Sequence, residues 1–199
     1  MNKDFNEAIE ARRSVYSISK DITMTDEEIL DLVNHAVQFA PSAYNSQSAR
    51  VLVLLGVEHE KLWDFTSEIL RKKISADLFP ITEAKLNNLR SGYGTILFFE
   101  DQGTIRNFQE QFKSDSDNFL LWSLQSSGML QVIIWTSLEA EGFGASLQHY
   151  NPLIDEVVKA TWDIPDDWTL LSEMPFGKSL TEPDSKTFLP LWERTKFFK

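Results

Sequence analysis

One long segment, residues 118–141, is apolar on nearly every side, and it limits the folds open to this chain more than any other stretch. A surface helix has one apolar stripe, whereas a helix that is apolar all round must be enclosed by other elements. Serine and glutamine interrupt the segment at 123, 125, 126, 127 and 131, which is too polar for a membrane span. We therefore predict a buried central helix within a structure larger than one small layer.

The clearest helix start lies at Thr25, because Glu28 three residues later completes a capping box. Apolar residues then recur on one face until Pro41 ends the helix. We predict two more helices, a short one before Arg12 and one over residues 61–73.

Short β-branched or leucine-rich runs predict strands, which fall at 51–55, 95–99, 145–149 and 170–175. The end of the chain, from Phe188 on, mixes bulky apolar residues with charges and has weak periodicity, so we predict an arm that docks elsewhere. No repeat or linker divides the chain, which predicts a single domain over residues 1–199. Few strands among helices of uneven length predict an α+β fold, a three-layer sandwich.

Composition excludes several classes of protein. The formal net charge of -11 argues against nucleic acid and against an anionic membrane surface, since both need clustered Lys and Arg. The chain has no Cys, which removes disulfides and thiolate chemistry and fits a reducing, cytoplasmic setting. Its N-terminus has no apolar signal sequence. Its three His have no metal-ligand spacing, so we expect no metal.

Protein side chains offer no convincing catalytic acid, base or nucleophile. There is no G-x-S-x-G motif, and Ser127 falls in the middle of the long helix. His149 could be a ligand or proton donor, although a structural histidine is the simpler interpretation. The acidic pairs 27–28 and 166–167 are explained by a helix start and a solvated turn.

Three polar features remain, and each alone has a purely structural alternative. Two guanidiniums beside a hydroxyl at Arg12-Arg13-Ser14 suit a phosphate monoester, but Arg at a helix C-terminus also favours the helix dipole. The run from Pro41 to Gln47 contains small residues and the amides of Asn45 and Gln47, and these could face a flat ligand or form Asx-type turns. The glycines after the long helix could expose backbone N–H groups to a ring system or form a plain C-cap.

Taken together, these features resemble the nitroreductase superfamily. The resemblance rests on a helix ending in R-R-S, a helix closed by P-S-x-x-N-x-Q, and a long helix closed by a G-x-G turn. The stretches AVQFAPSAYNSQSARVLVLLG, GYGTILFFED, WSLQSSGMLQ and GASLQHYNPLID are similar to its short fungal and bacterial branch, named for fatty-acid-repression mutants.

The resemblance implies a nitroreductase-like sandwich, with a central mixed sheet flanked by helices and the long helix at the interface of a homodimer that binds FMN. It places Arg12, Arg13 and Ser14 at the phosphate and ribityl chain, and Gly142, Phe143 and Gly144 near flavin N5. The loop residues that would meet the ring from the other subunit are Pro41, Ser42, Asn45 and Gln47.

The sequence departs from the family pattern at two places. Many members have a basic pair, R-x-R-x-P, near the C-terminus, where this chain has Lys186 and, in place of the second Arg, Phe188. Arg194 is a candidate substitute for the missing charge. The usual mid-chain contact to the N1–O2 edge of the ring has no clear counterpart, with Arg71, Lys72 and Lys85 as candidates.

By resemblance, the function is ping-pong transfer of hydride from NADH or NADPH through flavin N5 to a nitroaromatic, a quinone or a similar small oxidant. A flavin supplies the difficult chemistry, which explains the lack of catalytic side chains. The alternatives are a flavin- or lipid-binding regulatory sensor with only slow reductase activity, and a flavin-free structural dimer.

Overall fold

A computed structural model describes residues 3–199, and it shows one antiparallel sheet with helices on both faces. The sheet order is β1-β5-β3-β2, and β4 pairs with β5 beside β1. The strands are β1 (Ile18–Ser19), β2 (Ala49–Leu55), β3 (Gly94–Asp101), β4 (Phe143–Ala145) and β5 (Trp168–Ser179). The helices are α1 (Phe5–Ala11), α2 (Asp26–Phe39), α3 (Gly56–Arg71), α4 (Phe79–Arg90), α5 (Gln102–Gln111), α6 (Phe119–Ala140), α7 (Asp155–Trp162) and α8 (Leu191–Arg194).

Alternation along β3 divides the core into two halves. Ile96 and Phe98 lie on one face, in a cluster with side chains of α2 and α6. Leu97 and Phe99 lie on the other face, in a cluster with side chains of α3, α4 and α7. Because successive side chains of a strand point to opposite faces, this pattern produces three layers and confirms the predicted α+β sandwich.

Within residues 3–199, a parallel contact occurs at one place, and it lies outside the pairings of the named strands. All pairings between the named strands are antiparallel, and the one parallel contact is an isolated bridge between Ser14 and Ala145. This bridge brings the segment after α1 next to the segment after α6.

The long helix α6 is enclosed on one side but open on the other. Ile134 and Leu138 are fully buried, and Leu130 nearly so. A stripe of apolar side chains on α6 is instead 42–55% exposed, and it consists of Leu120, Leu121, Leu124, Met129 and Val132. The prediction of an enclosed helix therefore holds for only part of its circumference within one chain.

Local signals predicted several boundaries well. The Thr25 hydroxyl accepts a hydrogen bond from the Glu28 N–H at 3.2 Å. The Glu28 carboxylate accepts one from the Thr25 N–H at 2.8 Å, and this second bond completes the capping box. The strand predicted at 145–149 is wrong in position, since β4 ends at Ala145 and Gln148 pairs only through an isolated bridge to Glu173. The sequence patterns also missed α4, α5 and α7.

The C-terminal segment has its bulky side chains in solvent. The apolar side chains of this segment are 64–88% exposed, namely Phe188, Leu189, Leu191, Trp192, Phe197 and Phe198. A short helix, α8, interrupts it. In the part of the chain that is described, no helix is long and apolar enough to cross a membrane.

Candidate functional site

A polar groove of about 660 Å³ lies where α1 ends. Arg12, Arg13 and Ser14 line it together with residues 181–184 and Lys186, and this second group includes the carboxylates of Glu182 and Asp184. The fold thus places Lys186 in the same groove as the two arginines, although they are separated by more than half the length of the sequence. A groove with three cationic side chains and a hydroxyl has the chemistry to hold a phosphate monoester.

Arg12 is oriented by the long helix. Its guanidinium carbon lies 4.4 Å from the centroid of the Trp135 ring of α6. Stacking on an aromatic face restricts the orientation of a guanidinium, and its N–H donors remain available for hydrogen bonds. Helix α1, which presents Arg12, starts at a capping box between Asp4 and Glu7, so a well-defined helix positions this side chain.

The turn after α6 needs glycine at two positions for structural reasons. Gly142 has a φ of 87°, a conformation suited to glycine at a helix C-terminus. A Cβ on Gly144 would lie 2.9 Å from the Val15 Cγ1 atom, so only glycine lets β4 approach this segment. The Phe143 side chain is buried in the core, with its ring centroid 6.5 Å from that of Phe176, and none of the residues 142–144 lines the polar groove. Only the backbone of this turn is available to a bound ring.

The loop after α2 lies elsewhere on the surface. Pro41, Ser42 and Gln47 line a different hollow of about 470 Å³ between α2 and β2. Asn45 is exposed and lines neither this hollow nor the groove. Within one chain, the structure therefore does not bring this loop to Arg12 and Arg13.

Among the three mid-chain cations, only Lys85 lies beside the groove. Its Nζ atom is 5.8 Å from the ring of Tyr16, which lines the groove, and 5.7 Å from the ring of Tyr150. Asn88, one helical turn further along α4, also lines the groove. Sequence patterns missed Asn88 because α4 was not predicted; the i, i+3 spacing of the two polar residues on that helix was the available signal.

The other candidate cations are used or placed differently. Arg71 forms an ion pair with Glu83 and stacks on the ring of Phe79 at 4.3 Å. Lys72 is exposed just beyond the end of α3. Arg194 lies exposed in α8 and does not line the groove.

Buried titratable groups lie inside the protein rather than along the groove. Burial lowers the pKa of His59 to about 4, and its ring is held between Thr95 Oγ1 at 2.7 Å and the Arg90 carbonyl at 3.1 Å. Burial also raises the pKa of Glu100 and of Glu173 to about 7. His149 is exposed. Among residues 3–199, no group of His, Asp or Glu is placed to hold a metal ion.

Size and charge of the groove fit a phosphorylated ligand with a flat ring. Ligand sites range from about 300 to 1,000 Å³, and this groove falls inside that range. The groove carries three cations, Arg12, Arg13 and Lys186, and two carboxylates, Glu182 and Asp184, so its formal charge is +1 in a protein whose net charge is -11. Tyr16 adds an aromatic surface that is half exposed.

Comparison with known proteins identifies the family of this chain. The model of the nitroreductase family matches residues 9–178. Nitroreductase FRM2 of Saccharomyces cerevisiae is 30% identical over 187 residues, which are 92% of this chain and 91% of that protein. The structure of nitroreductase CinD from Lactococcus lactis, solved with chloramphenicol, superposes with a TM-score of 0.90 at 39% identity, covering 98% of this chain and all of that one.

A more distant structure shares the fold alone. A protein of Exiguobacterium sibiricum assigned to the nitroreductases and solved in complex with FMN has a TM-score of 0.73 at 15% identity, with 98% of each chain covered. The family match spans most of the described sequence and includes the end of α1, the long helix and the glycine turn. On these grounds, the chain belongs to the nitroreductase family.

Proposed function

We propose that this chain binds FMN non-covalently and acts as an NAD(P)H-dependent oxidoreductase on nitroaromatics, quinones or similar small oxidants. The main supporting observation is the groove that joins Arg12 and Arg13 to Lys186. A related nitroreductase fold was solved with FMN, and CinD was solved with the nitroaromatic compound chloramphenicol. We propose the cytoplasm as its compartment, in keeping with the absence of Cys.

In this proposal, the groove binds the phosphate and ribityl part of the cofactor. The guanidiniums of Arg12 and Arg13 donate charged hydrogen bonds to phosphate oxygens, and Lys186 adds a point charge in place of the missing second arginine. The hydroxyl of Ser14 donates to the same part of the ligand. Lys85 is the candidate for the N1–O2 edge of the ring, and Asn88 lies beside it.

Flavin, when bound, supplies hydride transfer at N5 between the nicotinamide and the oxidant. The chain orients the ring, and the backbone of Gly142–Gly144 borders its N5 side. No side chain is assigned as acid or base, because no buried titratable group lines the groove. The required proton would come from solvent or from a ring N–H.

We further propose that the active form is a homodimer with two sites at its interface. The exposed apolar stripe of α6 and the exposed aromatic C-terminal segment both need cover, which a second copy would supply. The loop with Ser42, Asn45 and Gln47 does not line its own groove and would meet the ring bound by the partner subunit. Interfaces of this obligate kind often bury more than about 2,000 Å².

Flavin uptake and turnover test the proposal. We expect the purified protein to take up one FMN per chain and to reduce a nitroaromatic or a quinone at rates of about 1–1,000 per second with NADH or NADPH. Turnover below about 0.01 per second across a panel of oxidants would indicate a flavin-binding regulatory protein instead. A protein that takes up no FMN would contradict both.

A further inference from the structure

The loop between α2 and β2 has a backbone conformation that L-amino acids rarely adopt. The φ angles of Tyr44, Asn45 and Gln47 are 55°, 53° and 48°. In residues 3–199, Asp163 is the one other non-glycine residue with positive φ. Such a backbone persists only where its surroundings fix it, and it is concentrated at functional sites.

Gln47 is fixed through both of its backbone groups. Its N–H donates to the Ser42 Oγ atom at 3.0 Å. Its carbonyl accepts a hydrogen bond from Arg50 Nη1 at 2.6 Å, and the same nitrogen donates to the Ala49 carbonyl at 3.0 Å. Arg50 is therefore the side chain that connects the strained loop to the body of the protein.

Arg50 is anchored at its other nitrogen. Arg50 Nη2 donates to Asp101 Oδ2 at 2.7 Å, and the guanidinium lies 5.7 Å from the centroid of the Trp168 ring. Asp101 is itself fixed as the N-cap of α5, since its Oδ1 accepts from the N–H groups of Gly103 and Thr104. The loop is thus connected through one guanidinium to the start of a helix.

The surroundings of the ion pair between Arg50 and Asp101 favour the ionised form of the Asp101 carboxyl. Burial acts to raise the pKa of Asp101, but hydrogen bonds from Thr104 and the charge of Arg50 outweigh it and lower the pKa below its usual value. A planar guanidinium donates in two directions at once, which a lysine ammonium on a flexible stem does not reproduce.

We infer that Arg50 is a positioning residue for the cofactor: by joining the Gln47 carbonyl to Asp101, it sets the direction in which Asn45 and Gln47 face the flavin ring of the partner subunit. This inference rests on the proposed FMN function. We assign Arg50 to positioning rather than to ligand contact, because its Nη1 and Nη2 atoms already donate to the Gln47 carbonyl and the Asp101 carboxylate.

Two substitutions of Arg50 separate positioning from simple packing. Arg50→Met keeps an unbranched apolar stem near Trp168 but removes both anchors, whereas Arg50→Lys keeps the charge and loses the two-way geometry. Arg106→Met is the matched control. Arg106 lies on the neighbouring helix α5 and forms an exposed ion pair with Asp167 at 2.6 Å. The measurements are the FMN dissociation constant by fluorescence titration, the visible spectrum of bound flavin, and the melting temperature of the apoprotein.

We expect Arg50→Met to weaken FMN binding about tenfold or more and to shift the spectrum of the bound flavin. Arg50→Lys should show the same changes in smaller measure, and Arg106→Met should stay within about twofold of wild type. If Arg50→Met does not fold, Asp101→Asn replaces it, since the amide oxygen still caps α5.

Two different failures are distinguishable. If wild type binds FMN and the Arg50 variants match Arg106→Met in affinity and spectrum, whatever their melting temperatures, Arg50 has only a structural role and the inference is wrong. If wild type takes up no FMN, the proposed function fails first, and the inference fails with it.

Discussion

The backbone of Ser14 lies alongside that of Ala145 in a parallel bridge, and the next residue, Val15, donates its N–H to the Ala145 carbonyl at 2.9 Å. Through this contact, the segment that follows the two arginines meets the turn that ends the long helix. Gly144 makes the approach possible, since a Cβ there would lie 3.0 Å or less from two atoms of Val15. Two features that are far apart in sequence thereby lie side by side, although the turn itself does not line the groove.

Replacing Arg12 with Ala should weaken FMN binding much more than it slows turnover per bound flavin. The side chain acts on the phosphate, which takes no part in hydride transfer, and a lost charged hydrogen bond costs about 1.5–3 kcal/mol. Flavin content and turnover per flavin, measured together, check this. Arg71→Ala is the control, because Arg71 pairs with Glu83 outside the groove. Equal flavin content in wild type and Arg12→Ala would contradict the role of Arg12.

Replacing Lys85 with Met should make the potential of the bound flavin more negative. A cation near the N1–O2 edge stabilises the negative charge that reduction adds to the ring, so its removal disfavours reduction. We expect a shift of about 30 mV, which equals about 1.4 kcal/mol for a two-electron couple. Lys72→Met should leave the potential unchanged, since Lys72 is exposed beyond the end of α3. Equal shifts in both variants would remove Lys85 from the site.

Sequence patterns predicted elements whose signals are local. Thr25 and Glu28 mark the start of α2, and the apolar run at 51–55 lies within β2. Helix α4 was missed because its apolar face is narrow, with only Phe79, Leu86 and Leu89 buried. The strand predicted at 145–149 was displaced because β4 is defined by pairing with β5, a long-range contact that local alternation does not reveal.

The candidate site could be predicted only as separate pieces. Arg12, Arg13 and Ser14 stand out in the sequence, but their closeness to Lys186 depends on the fold of the whole chain. Lys85 could not be distinguished from Arg71 and Lys72 by residue type, and only its position on α4 separates it from them. The loop of Asn45 and Gln47 stays a prediction, because its proposed partner is a second chain.

Placing a charge on the exposed stripe of α6 should dissociate the proposed homodimer. Leu124→Glu puts a carboxylate at a position that is 45% exposed in one chain and that we expect to be covered in the dimer. Light scattering coupled to size exclusion should show a monomer, with loss of bound FMN because the site needs both chains. Val57→Glu, at a position 76% exposed on α3, should remain dimeric. A Leu124→Glu protein that stays dimeric and keeps its flavin would contradict the proposed interface.

Replacing Glu173 with Gln should flatten the pH dependence of stability. Glu173 is fully buried, and it accepts one hydrogen bond from the Tyr150 N–H at 3.0 Å. Burial raises its pKa from 4.5 to about 7, with the charge of Asp155 acting in the same direction. The folded state therefore binds more protons than the unfolded state between these values, and the contribution of this group to stability falls as pH rises from about 4.5 to about 7.

Wild type and Glu173→Gln are compared by urea unfolding at pH 5 and pH 8. The free energy of unfolding of the variant minus that of wild type should be larger at pH 8 than at pH 5, by at most about 3 kcal/mol. Because both proteins contain His59, its contribution cancels in this difference. Alone, its lowered pKa would make stability increase as pH rises. Glu68→Gln, on the exposed side of α3, should follow wild type. An unchanged difference between pH 5 and pH 8 would show that Glu173 ionises normally.

The visible spectrum of the FMN-loaded protein, recorded without oxygen before and after addition of NADH or NADPH, tests whether this chain holds a flavin that a nicotinamide can reduce. We predict a flavin band that bleaches on addition of one or both nucleotides and returns when a nitroaromatic or a quinone is added. A band that persists with both nucleotides would contradict the proposed oxidoreductase function.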